Sequence, residues 1–529
     1  MRLYRTTAFA AIALFAAISG AYAQSVSDPI YGYIDRWEAR GYLEAQYTLR
    51  PYSPEVIIGI LERVAEVGSP ADAEAAERFL AEYGSSSFDA GLVQRSDARL
   101  GGDGFEYRGE SGVGLGLLSA VAPGVWAQGV LDVVVVDGYD TVQPATERSK
   151  LDVHSDGSMN FLPDGLSGDP MALLYALSSS AWFGRAGLWG SASFSRSSVG
   201  PFFGNGVVIG PQATATPNWT MHATTGDWRF SSGLFQLRAS DGDEEKYLVY
   251  HSYSYSPVSG LDLGIFETTV WGGSFKPLYL VPLSMLFYLQ SQSSFGDNSQ
   301  AGLYGSWRPM DGLQAKATVF FDDVGFSDLV KLELDTKIIG AAEAGLSWAP
   351  EAGPLALASL DYTAVFPYMY AHHWTVAEDD YTHAGDSFGA ALEPNSDRWE
   401  LRARFEPLPC LSVEAVSRLL RHGNASEGVT DGDGSWFDDG WVYVDGLWYQ
   451  NFQLPFEPGT SPKYFRFLTQ DTIETTFQLG ATVTWNRAFG RTSLSVGLRY
   501  LIEAVWNEGL AAGDDELYHY IGLDASWKL

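Results

Sequence analysis

Hydrophobic positions between about residues 28 and 85 recur every three to four residues, which is the spacing of one face of an α-helix. Two of the predicted helices begin with a serine followed by a proline, at Ser53-Pro54 and Ser69-Pro70. A serine hydroxyl accepts a free backbone N–H of the first turn, and proline suits the first helical position because it has no N–H. The sequence therefore predicts three short amphipathic helices, the first ending near Gly41. Their apolar positions are Ile30, Ile34, Trp37, Val56, Ile57, Ile60, Leu61, Val64, Ala76, Phe79, Leu80 and Tyr83.

Beyond about Leu100 the hydrophobic spacing changes to two, as on the faces of a β-strand. Segments 228–238, 475–485 and 494–500 alternate in this way, and similar segments recur between glycine, aspartate, asparagine and proline turns. Alternating segments of about ten residues are typical of transmembrane β-barrels. One strand with its loop uses about 20–25 residues, so we expect a mainly β fold, a transmembrane antiparallel β-barrel of about 18 strands. Tryptophans near predicted strand ends, where an interfacial girdle would lie, are Trp271, Trp307, Trp348, Trp399, Trp485 and Trp527.

The printed sequence ends on an alternating segment, residues 521–529, with apolar residues at every second position. A strand left at an open sheet edge invites aggregation, whereas a barrel abolishes the edge by pairing its first and last strands. We therefore expect this segment to close the barrel. A β-propeller is disfavoured because no repeat of about 40–50 residues is found. A soluble sandwich is disfavoured because so many predicted strands end in tryptophan or tyrosine.

The N-terminus has the features of a secretory signal peptide: two arginines, an apolar run at residues 8–18, and the small-x-small site Ala21-Tyr22-Ala23. We expect cleavage between Ala23 and Gln24. No later stretch reaches the roughly 18 uncharged apolar residues that a transmembrane helix needs. The predicted organisation is a signal peptide at 1–23, a small helical periplasmic module at 24–95 and an outer-membrane β-barrel at 96–529.

Charge and cysteine content exclude two classes of protein. The formal net charge is −32, and so acidic a surface repels phosphate backbones, which excludes a nucleic-acid partner. Cys410 is the single cysteine of the sequence, so no intramolecular disulfide can form and a disulfide-stapled extracellular scaffold is excluded.

Two blocks of the sequence contain motifs with a recognisable spacing. An Arg-x-x-x-Gly-Pro turn followed by an apolar strand occupies residues 196–221, and a strand, a loop and a strand continue this block to residue 273. A second block contains paired aspartates after an aromatic strand at 319–326, a Tyr-x-His-x-Gly element and a Gly-x-x-Leu-x-Pro-Asn-Ser-Asp element between residues 381 and 397. Both blocks resemble the capsule-assembly Wzi family of outer-membrane proteins, although the family's Ser-Asn-Asn-Ala-like element is replaced by Pro211-Gln212-Ala213. The helical opening is similar both to the start of that family and to S-layer homology motifs.

The resemblance implies a lectin-like, non-enzymatic protein that binds or anchors capsular or exopolysaccharide at the cell surface. The alternative is an outer-membrane porin or solute channel whose N-terminal module contacts peptidoglycan. Either function places the protein in the cell outer membrane. The expected partners are outer-membrane lipid, surface polysaccharide, the outer-membrane assembly machinery and, as a further candidate, peptidoglycan.

An acidic and aromatic segment at residues 430–449 carries the candidate glycan-binding side chains. Aromatic rings pack on the C–H faces of sugars, and carboxylates accept their hydroxyl protons. The alternative is that these rings belong to an interfacial girdle beside an acidic loop. The segment begins like a calcium loop, but Trp436 replaces the sixth-position glycine and Val442 the twelfth-position glutamate. The candidates are Trp436, Trp441, Tyr443, Trp448, Tyr449, Asp438 and Asp439.

No motif indicates catalysis or a cofactor. Residues 372–383 gather three histidines and three carboxylates, but their spacing matches no standard metal site, so we expect no metal and keep a loop-bound divalent cation as the alternative. The sequence contains no Gly-x-Ser-x-Gly, His-Glu-x-x-His or Walker element. We therefore expect no catalytic residues, no cofactor and no enzyme activity.

Overall fold

A computed structural model describes most of the chain between residues 26 and 528. The described residues are 26, 28–84, 86–102, 104–138, 142, 144, 171–185, 187–200, 206–239, 245–282, 284–293, 297–324, 331, 338–370, 380–383, 386–423, 441–444, 447–450, 467–470, 472–489 and 492–528. The signal cleavage pair Ala23 and Gln24 lies outside them.

The three N-terminal helices form where the sequence predicts them. Helix α1 is Pro29–Arg40, α2 is Pro54–Val67 and α3 is Pro70–Tyr83. The Ser53 hydroxyl accepts the Val56 N–H and the Ser69 hydroxyl accepts the Asp72 N–H, so both predicted helix starts are confirmed. Gly41 ends α1 with φ 84°, a left-handed conformation that glycine adopts without strain. None of the described helices is long and apolar enough to cross a membrane.

Eighteen antiparallel strands form one closed barrel, as predicted. The last strand pairs with both its predecessor and the first strand, so the predicted closure is also confirmed. The strands are β1 Ser87–Gly101, β2 Gly104–Ala122, β3 Val125–Asp137, β4 Met171–Arg185, β5 Leu188–Ser195, β6 Thr216–Thr225, β7 Trp228–Arg238, β8 Glu245–Val258, β9 Leu261–Gly272, β10 Asn298–Met310, β11 Leu313–Val324, β12 Ile338–Trp348, β13 Leu355–Val365, β14 Ser396–Leu408, β15 Leu411–Gly423, β16 Ile473–Phe489, β17 Thr492–Trp506 and β18 Glu516–Lys528.

Alternation along each strand separates an apolar outer wall from a more polar lumen. On β18, Ile521, Leu523 and Trp527 are exposed on the outer wall. Trp307, Trp348 and Trp399 are also exposed, but Trp271 is fully buried and does not belong to an exposed girdle. Its burial comes from a neighbouring segment that packs on the outside of the barrel.

The two ends of the barrel differ in the length of their connections. The connections that follow the even-numbered strands have two residues each, apart from six between β12 and β13. We call this the short-turn end, and the three helices pack against it. The opposite end, which we call the long-loop end, carries connections as long as residues 424–472.

The barrel begins earlier than the change of hydrophobic period near Leu100 indicates. β1 starts at Ser87 and therefore lies partly within the range 24–95 assigned to the helical module. Its charged residues face the lumen; Asp97, for example, is buried and accepts a hydrogen bond from Arg499 of β17 at 2.5 Å. The lumen-facing polar side chains weaken the strand signal in the sequence.

Candidate functional site

Parts of two connections at the long-loop end fold back into the barrel. We call residues 206–215, 366–370, 380–383 and 386–395 the lumen plug. Its buried apolar side chains pack against inward-facing aromatic residues of the wall. The apolar cluster contains Val207, Val208, Ile209, Ala213, Met369, Tyr370, Tyr381, Phe388 and Ala390 from the plug, and Phe235, Leu237, Leu248, Tyr250, Phe266, Val270, Tyr304, Phe320, Ala341 and Val365 from the wall.

Tyr370 joins the two halves of the lumen plug. Its hydroxyl donates to the Val207 carbonyl at 2.7 Å and accepts the Ala390 N–H at 3.1 Å. Burial raises the pKa of Tyr370, so the phenol keeps the proton that it donates. A second bridge runs from the Gly210 N–H to the Phe388 carbonyl at 3.0 Å.

The chain reaches this arrangement through two tyrosines with left-handed backbone. Tyr368 has φ 66° and Tyr370 has φ 74°. Such conformations cost bulky residues about 1–3 kcal/mol and persist only where surrounding contacts hold them. The buried hydrogen bonds of Tyr370 supply such contacts.

The wall holds the lumen plug through polar side chains. The Arg238 N–H donates to His383 Nδ1 at 3.0 Å, and the buried Lys246 ammonium donates to the Thr382 hydroxyl at 3.0 Å. Asn395 donates to the Gly423 carbonyl at 2.6 Å. His383 therefore fixes the plug to β7.

At the short-turn end, the buried carboxylate of Asp72 organises the helical module. It accepts hydrogen bonds from Arg36 at 3.0 Å, Arg40 at 2.5 Å, the Trp37 indole at 2.9 Å and the Ser69 hydroxyl at 2.7 Å. Burial alone would raise the pKa of Asp72. The Arg36 charge, the Ser69 hydrogen bond, the Arg40 charge and the Trp37 hydrogen bond outweigh burial and hold that pKa below its ordinary value.

The same arginines fasten the module to the barrel. Arg36 forms an ion pair with Glu406 of β14 at 2.9 Å, and Arg40 donates to the Pro350 carbonyl at 2.6 Å. From the barrel side, Arg308 donates to the Glu38 carbonyl at 2.7 Å. These contacts reach β10, the β12–β13 turn and β14, and apolar residues of the helices pack in one cluster with Trp126 of β3 and Trp189 of β5. The module therefore spans the short-turn end.

The helical module and the long-loop end meet inside the barrel. After α1 the chain enters the lumen as the two-residue strand Leu49–Arg50, which pairs with Ser198–Val199 from the β5–β6 connection. The Gly200 N–H donates to the Thr48 carbonyl at 3.1 Å. We call these six residues the plug junction: Thr48, Leu49, Arg50, Ser198, Val199 and Gly200.

Opposite charges on β14 and β15 of the lumen wall form a connected network. Glu400 contacts Arg402 at 2.7 Å and Arg418 at 2.6 Å, and Arg402 also contacts Glu414 at 3.1 Å. Arg402 and Glu414 keep 32% and 39% of their side-chain surface exposed. This part of the wall is therefore polar and balanced in charge.

Of the seven glycan-binding residues predicted from the sequence, four lie on a described pair of short strands. Trp436, Asp438 and Asp439 lie outside the described residues. Trp441 and Tyr443 lie on a short strand, Trp441–Val444, and Trp448 and Tyr449 lie on its partner Leu447–Gln450. The register places Tyr443 opposite Trp448 and Val442 opposite Tyr449, so two of the predicted aromatic residues are direct cross-strand neighbours.

The histidine-rich segment is described only at its end. His372, His373, Glu378 and Asp379 lie outside the described residues, whereas Asp380 and His383 lie within them. Among the residues that the structure describes, no three His, Cys, Asp or Glu side chains form a group that could hold a metal ion.

Sequence reasoning missed the lumen plug. The sequence predicts a turn and an apolar strand within residues 196–221, whereas the apolar run Val207 to Ile209 in that range is buried in the lumen plug. A second signal was available on the wall, where Phe266 and Phe320 occupy inward positions that a water-filled lumen would leave polar.

Comparisons with known proteins support the fold. No family model and no curated protein matches the sequence. Sequence comparison therefore supports neither the resemblance to the Wzi family nor the resemblance to S-layer homology motifs. Among solved structures, the chain is similar to Wzi, described as an outer-membrane protein involved in group 1 capsule assembly in Escherichia coli and as a carbohydrate-binding β-barrel. The identity is 14%, the TM-score is 0.58, and the match covers 94% of this chain and 98% of that one.

Weaker matches include OccD3 of Pseudomonas aeruginosa, with 10% identity, 84% and 91% coverage of the two chains, and a TM-score of 0.41. OccAB2 of Acinetobacter baumannii gives 10% identity, 84% and 98% coverage, and a TM-score of 0.43. The chain thus has the fold of a closed, 18-stranded antiparallel β-barrel similar to that of Wzi.

Proposed function

We propose that this protein resides in the cell outer membrane and binds or anchors polysaccharide at the cell surface without enzymatic activity. Long loops of outer-membrane barrels are extracellular and their short turns are periplasmic. This rule puts the helical module in the periplasm and the lumen plug on the extracellular side. The proposal also includes export by the signal peptide and cleavage between Ala23 and Gln24.

The observation that carries the proposal is the filling of the lumen from both ends. The lumen plug packs an apolar cluster against the wall, and the plug junction connects it to the periplasmic module. A barrel so filled is suited to holding a ligand on its extracellular surface rather than to passing solutes. The fold likeness to Wzi, which is described as carbohydrate-binding, agrees with this function.

The paired strands Trp441–Val444 and Leu447–Gln450, which we call the aromatic hairpin, are the proposed contact for the sugar. The register pairs Tyr443 with Trp448, and aromatic residues at paired positions are the residue type that packs on the C–H face of a pyranose. Trp436, Trp441, Tyr449, Asp438 and Asp439 complete the proposed site.

The net charge of −32 sets the chemistry of the polysaccharide. An acidic protein and an acidic polysaccharide repel each other unless cations intervene. We therefore expect a neutral glycan to bind directly and an acidic glycan to bind only through a divalent cation.

A glycan array tests this proposal. The full mature protein in detergent is applied with EDTA and, separately, with calcium. Binding of neutral glycans in EDTA, or of acidic glycans in calcium alone, supports the proposal. Absence of binding to every glycan under both conditions would refute it.

An outer-membrane channel is the second candidate, because Arg402 and Glu414 leave part of the lumen wall accessible. Planar bilayer recordings separate the two functions. A carbohydrate-binding barrel with a filled lumen should show rare openings, whereas a porin should show steady conductance. With either function, we propose two further partners. The outer-membrane assembly machinery would bind β18, and peptidoglycan would contact the helical module.

A further inference from the structure

The connection between β9 and β10 has an unusual composition for a loop of so acidic a protein. From residue 277 to residue 296 it contains no charged residue, and leucine, phenylalanine, tyrosine and methionine dominate residues 278–289. It forms a 3₁₀ helix, Pro277–Leu280, and an α-helix, α4, Leu286–Ser293. We call residues 277–282 and 284–293 the outer-wall segment.

The outer-wall segment packs on the outside of the barrel. Tyr279 and Leu286 are fully buried in one apolar cluster with Leu234, Tyr247, Val249 and Trp271. These wall residues point outward, because their paired neighbours in the alternating register include exposed residues such as Trp219 opposite Leu234. The ring of Trp271 lies 4.9 Å from that of Tyr279 and 5.4 Å from that of Tyr247. The segment therefore covers outer wall that would otherwise face the surroundings of the barrel.

An ion pair and a hydrogen bond hold the two ends of the outer-wall segment together. Lys276, just before it, forms an ion pair with Asp297, just after it. The Tyr279 hydroxyl donates to the same carboxylate at 2.6 Å. The charges that flank the segment are thus neutralised against each other.

Polar residues of the outer wall lie beneath the segment. His251 and Glu267 are direct cross-strand partners on the outward face, with nitrogen and oxygen atoms 3.9 Å apart, and both are buried. The Leu286 N–H donates to the Glu267 carboxylate at 2.7 Å. A polar pair exposed to hydrocarbon would raise the free energy of the folded protein. The outer-wall segment covers His251 and Glu267 and so keeps this pair out of contact with lipid.

The face that the segment turns away from the barrel is apolar and exposed. Met285 is 66% exposed and Tyr288 is 63% exposed. Two residues below Glu267 on the same face of β9, Ile265 is 54% exposed, and Leu303 of β10 beside it is 55% exposed. The remaining exposed apolar residues of the segment are Leu278, Leu280, Val281 and Phe287.

We propose that the outer-wall segment is embedded in the outer leaflet and contacts lipid acyl chains, although it connects two strands at the long-loop end. Its apolar surface is continuous with the lipid-facing surface around Ile265 and Leu303, and its lack of charge fits hydrocarbon rather than water. This inference rests on the outer-membrane location proposed above. It makes the segment a lipid-binding surface distinct from the extracellular loops.

Site-directed spin labelling tests the inference. In a Cys410→Ser background, single cysteines replace Met285 and Tyr288, with Leu303→Cys as the lipid control and Ala511→Cys, exposed in the β17–β18 connection, as the water control. The labelled full-length proteins are reconstituted in phospholipid vesicles, and collision rates with oxygen and with a polar nickel chelate are measured. Oxygen enriches in lipid and the chelate stays in water. At positions 285 and 288 we expect an oxygen-to-nickel ratio similar to that at 303 and several-fold above that at 511.

Each other outcome has a separate meaning. A ratio at 285 and 288 equal to that at 511, with a lipid-like ratio at 303, overturns the inference and leaves the membrane location intact. A water-like ratio at 303 as well overturns the membrane location itself. Dipolar broadening between labels on two copies, lost when labelled protein is diluted with unlabelled protein, would show that a second barrel rather than lipid covers the segment.

Discussion

Leu49 and Val199 pair as neighbouring strand residues inside the barrel, although one follows the first helix and the other follows the fifth barrel strand. Both side chains are buried, with 1% and 4% exposure, in the apolar cluster of the lumen plug. The pair therefore connects the covering of one barrel end to the filling of the other. A change at either residue should affect both ends.

Leu49→Asp tests this connection. The new carboxylate would be buried without a partner, and an uncompensated buried charge costs about 3–5 kcal/mol. We expect the plug junction to separate while the barrel wall stays closed, which should increase channel openings in planar bilayers. Ala81→Asp on the exposed face of α3 is the matched control and should leave the recordings unchanged. Identical recordings for Leu49→Asp and the wild type would show that the junction does not hold the lumen closed.

Tyr370→Phe should loosen the lumen plug without disturbing the wall. The variant loses the donor to the Val207 carbonyl and the acceptor of the Ala390 N–H, and each buried polar group left unpaired costs about 1–3 kcal/mol. We expect more frequent channel openings and a heat-modifiable barrel band at the wild-type position. Tyr107→Phe, which removes an exposed hydrogen bond to Ser96 on the outer wall, is the control. Equal opening frequencies in the two variants would contradict the role assigned to Tyr370.

Acid should weaken the helical module through Asp72. Because the pKa of this carboxyl is lowered in the folded protein, its stabilising effect is complete above the ordinary value of 3.8 and is lost as the pH falls through the lower folded pKa. Burial raises the pKa values of Asp28 and Glu38, so these two carboxyls lower the stability of the folded protein as the pH rises. Their contribution is the same in the wild type and in a variant at Asp72. Comparing the wild type with Asp72→Asn therefore isolates the contribution of Asp72.

Hydrogen exchange of α1 measures that difference. At pH 6 we expect Asp72→Asn to reduce protection by on the order of 3 kcal/mol, because Arg36 and Arg40 lose a buried charged partner. The difference between the two proteins should shrink as the pH is lowered below 3.8. A difference that stays constant from pH 6 to pH 2.5 would contradict the proposed ionic role.

The sequence predicts the barrel well because the necessary information is local. Alternation at each strand and the N-cap signals of Ser53 and Ser69 act within a few residues, and both survive in the structure. The start of β1 is less visible, since Asp97 finds its partner Arg499 about 400 positions away along the chain. A charged strand with a distant partner looks like a loop when only the sequence is read.

The lumen plug and the outer-wall segment were not predicted from the sequence, because both depend on packing between residues far apart along the chain. Val207 is buried against aromatic residues of several strands, and no local pattern links those strands. Trp271 has the sequence features of a girdle residue, but a neighbouring connection covers it. Such contacts depend on where a long connection folds, which alternation does not specify.

The final strand should be needed for closure. Deleting residues 521–529 removes the partners of residues 91–98 on β1 and of residues 493–500 on β17. Two open edges would then remain, and we expect the product to be degraded before it yields a heat-modifiable band. Deletion of the exposed residues 511–513 in the β17–β18 connection is the control and should preserve that band. A heat-modifiable barrel at normal abundance after the 521–529 deletion would disprove this role of β18.

The aromatic hairpin provides the most direct test of the proposed function. Replacing Trp436, Trp441 and Trp448 by alanine removes three rings that we expect to stack on sugars, each worth on the order of 1 kcal/mol. A total of about 3 kcal/mol corresponds to roughly a hundredfold weaker binding of the glycan identified on the array. The control is the triple variant with alanine at Trp307, Trp348 and Trp399, which removes the same number of indoles from the outer wall.

Both triple variants are compared with the wild type at equal abundance of folded barrel. Weaker glycan binding in the hairpin variant alone supports stacking at the hairpin, because the outer-wall variant controls for a general loss of aromatic surface. Equal weakening in both variants would point to an effect on the barrel. Undiminished binding in the hairpin variant would show that these tryptophans belong to an interfacial belt and that the sugar is held elsewhere.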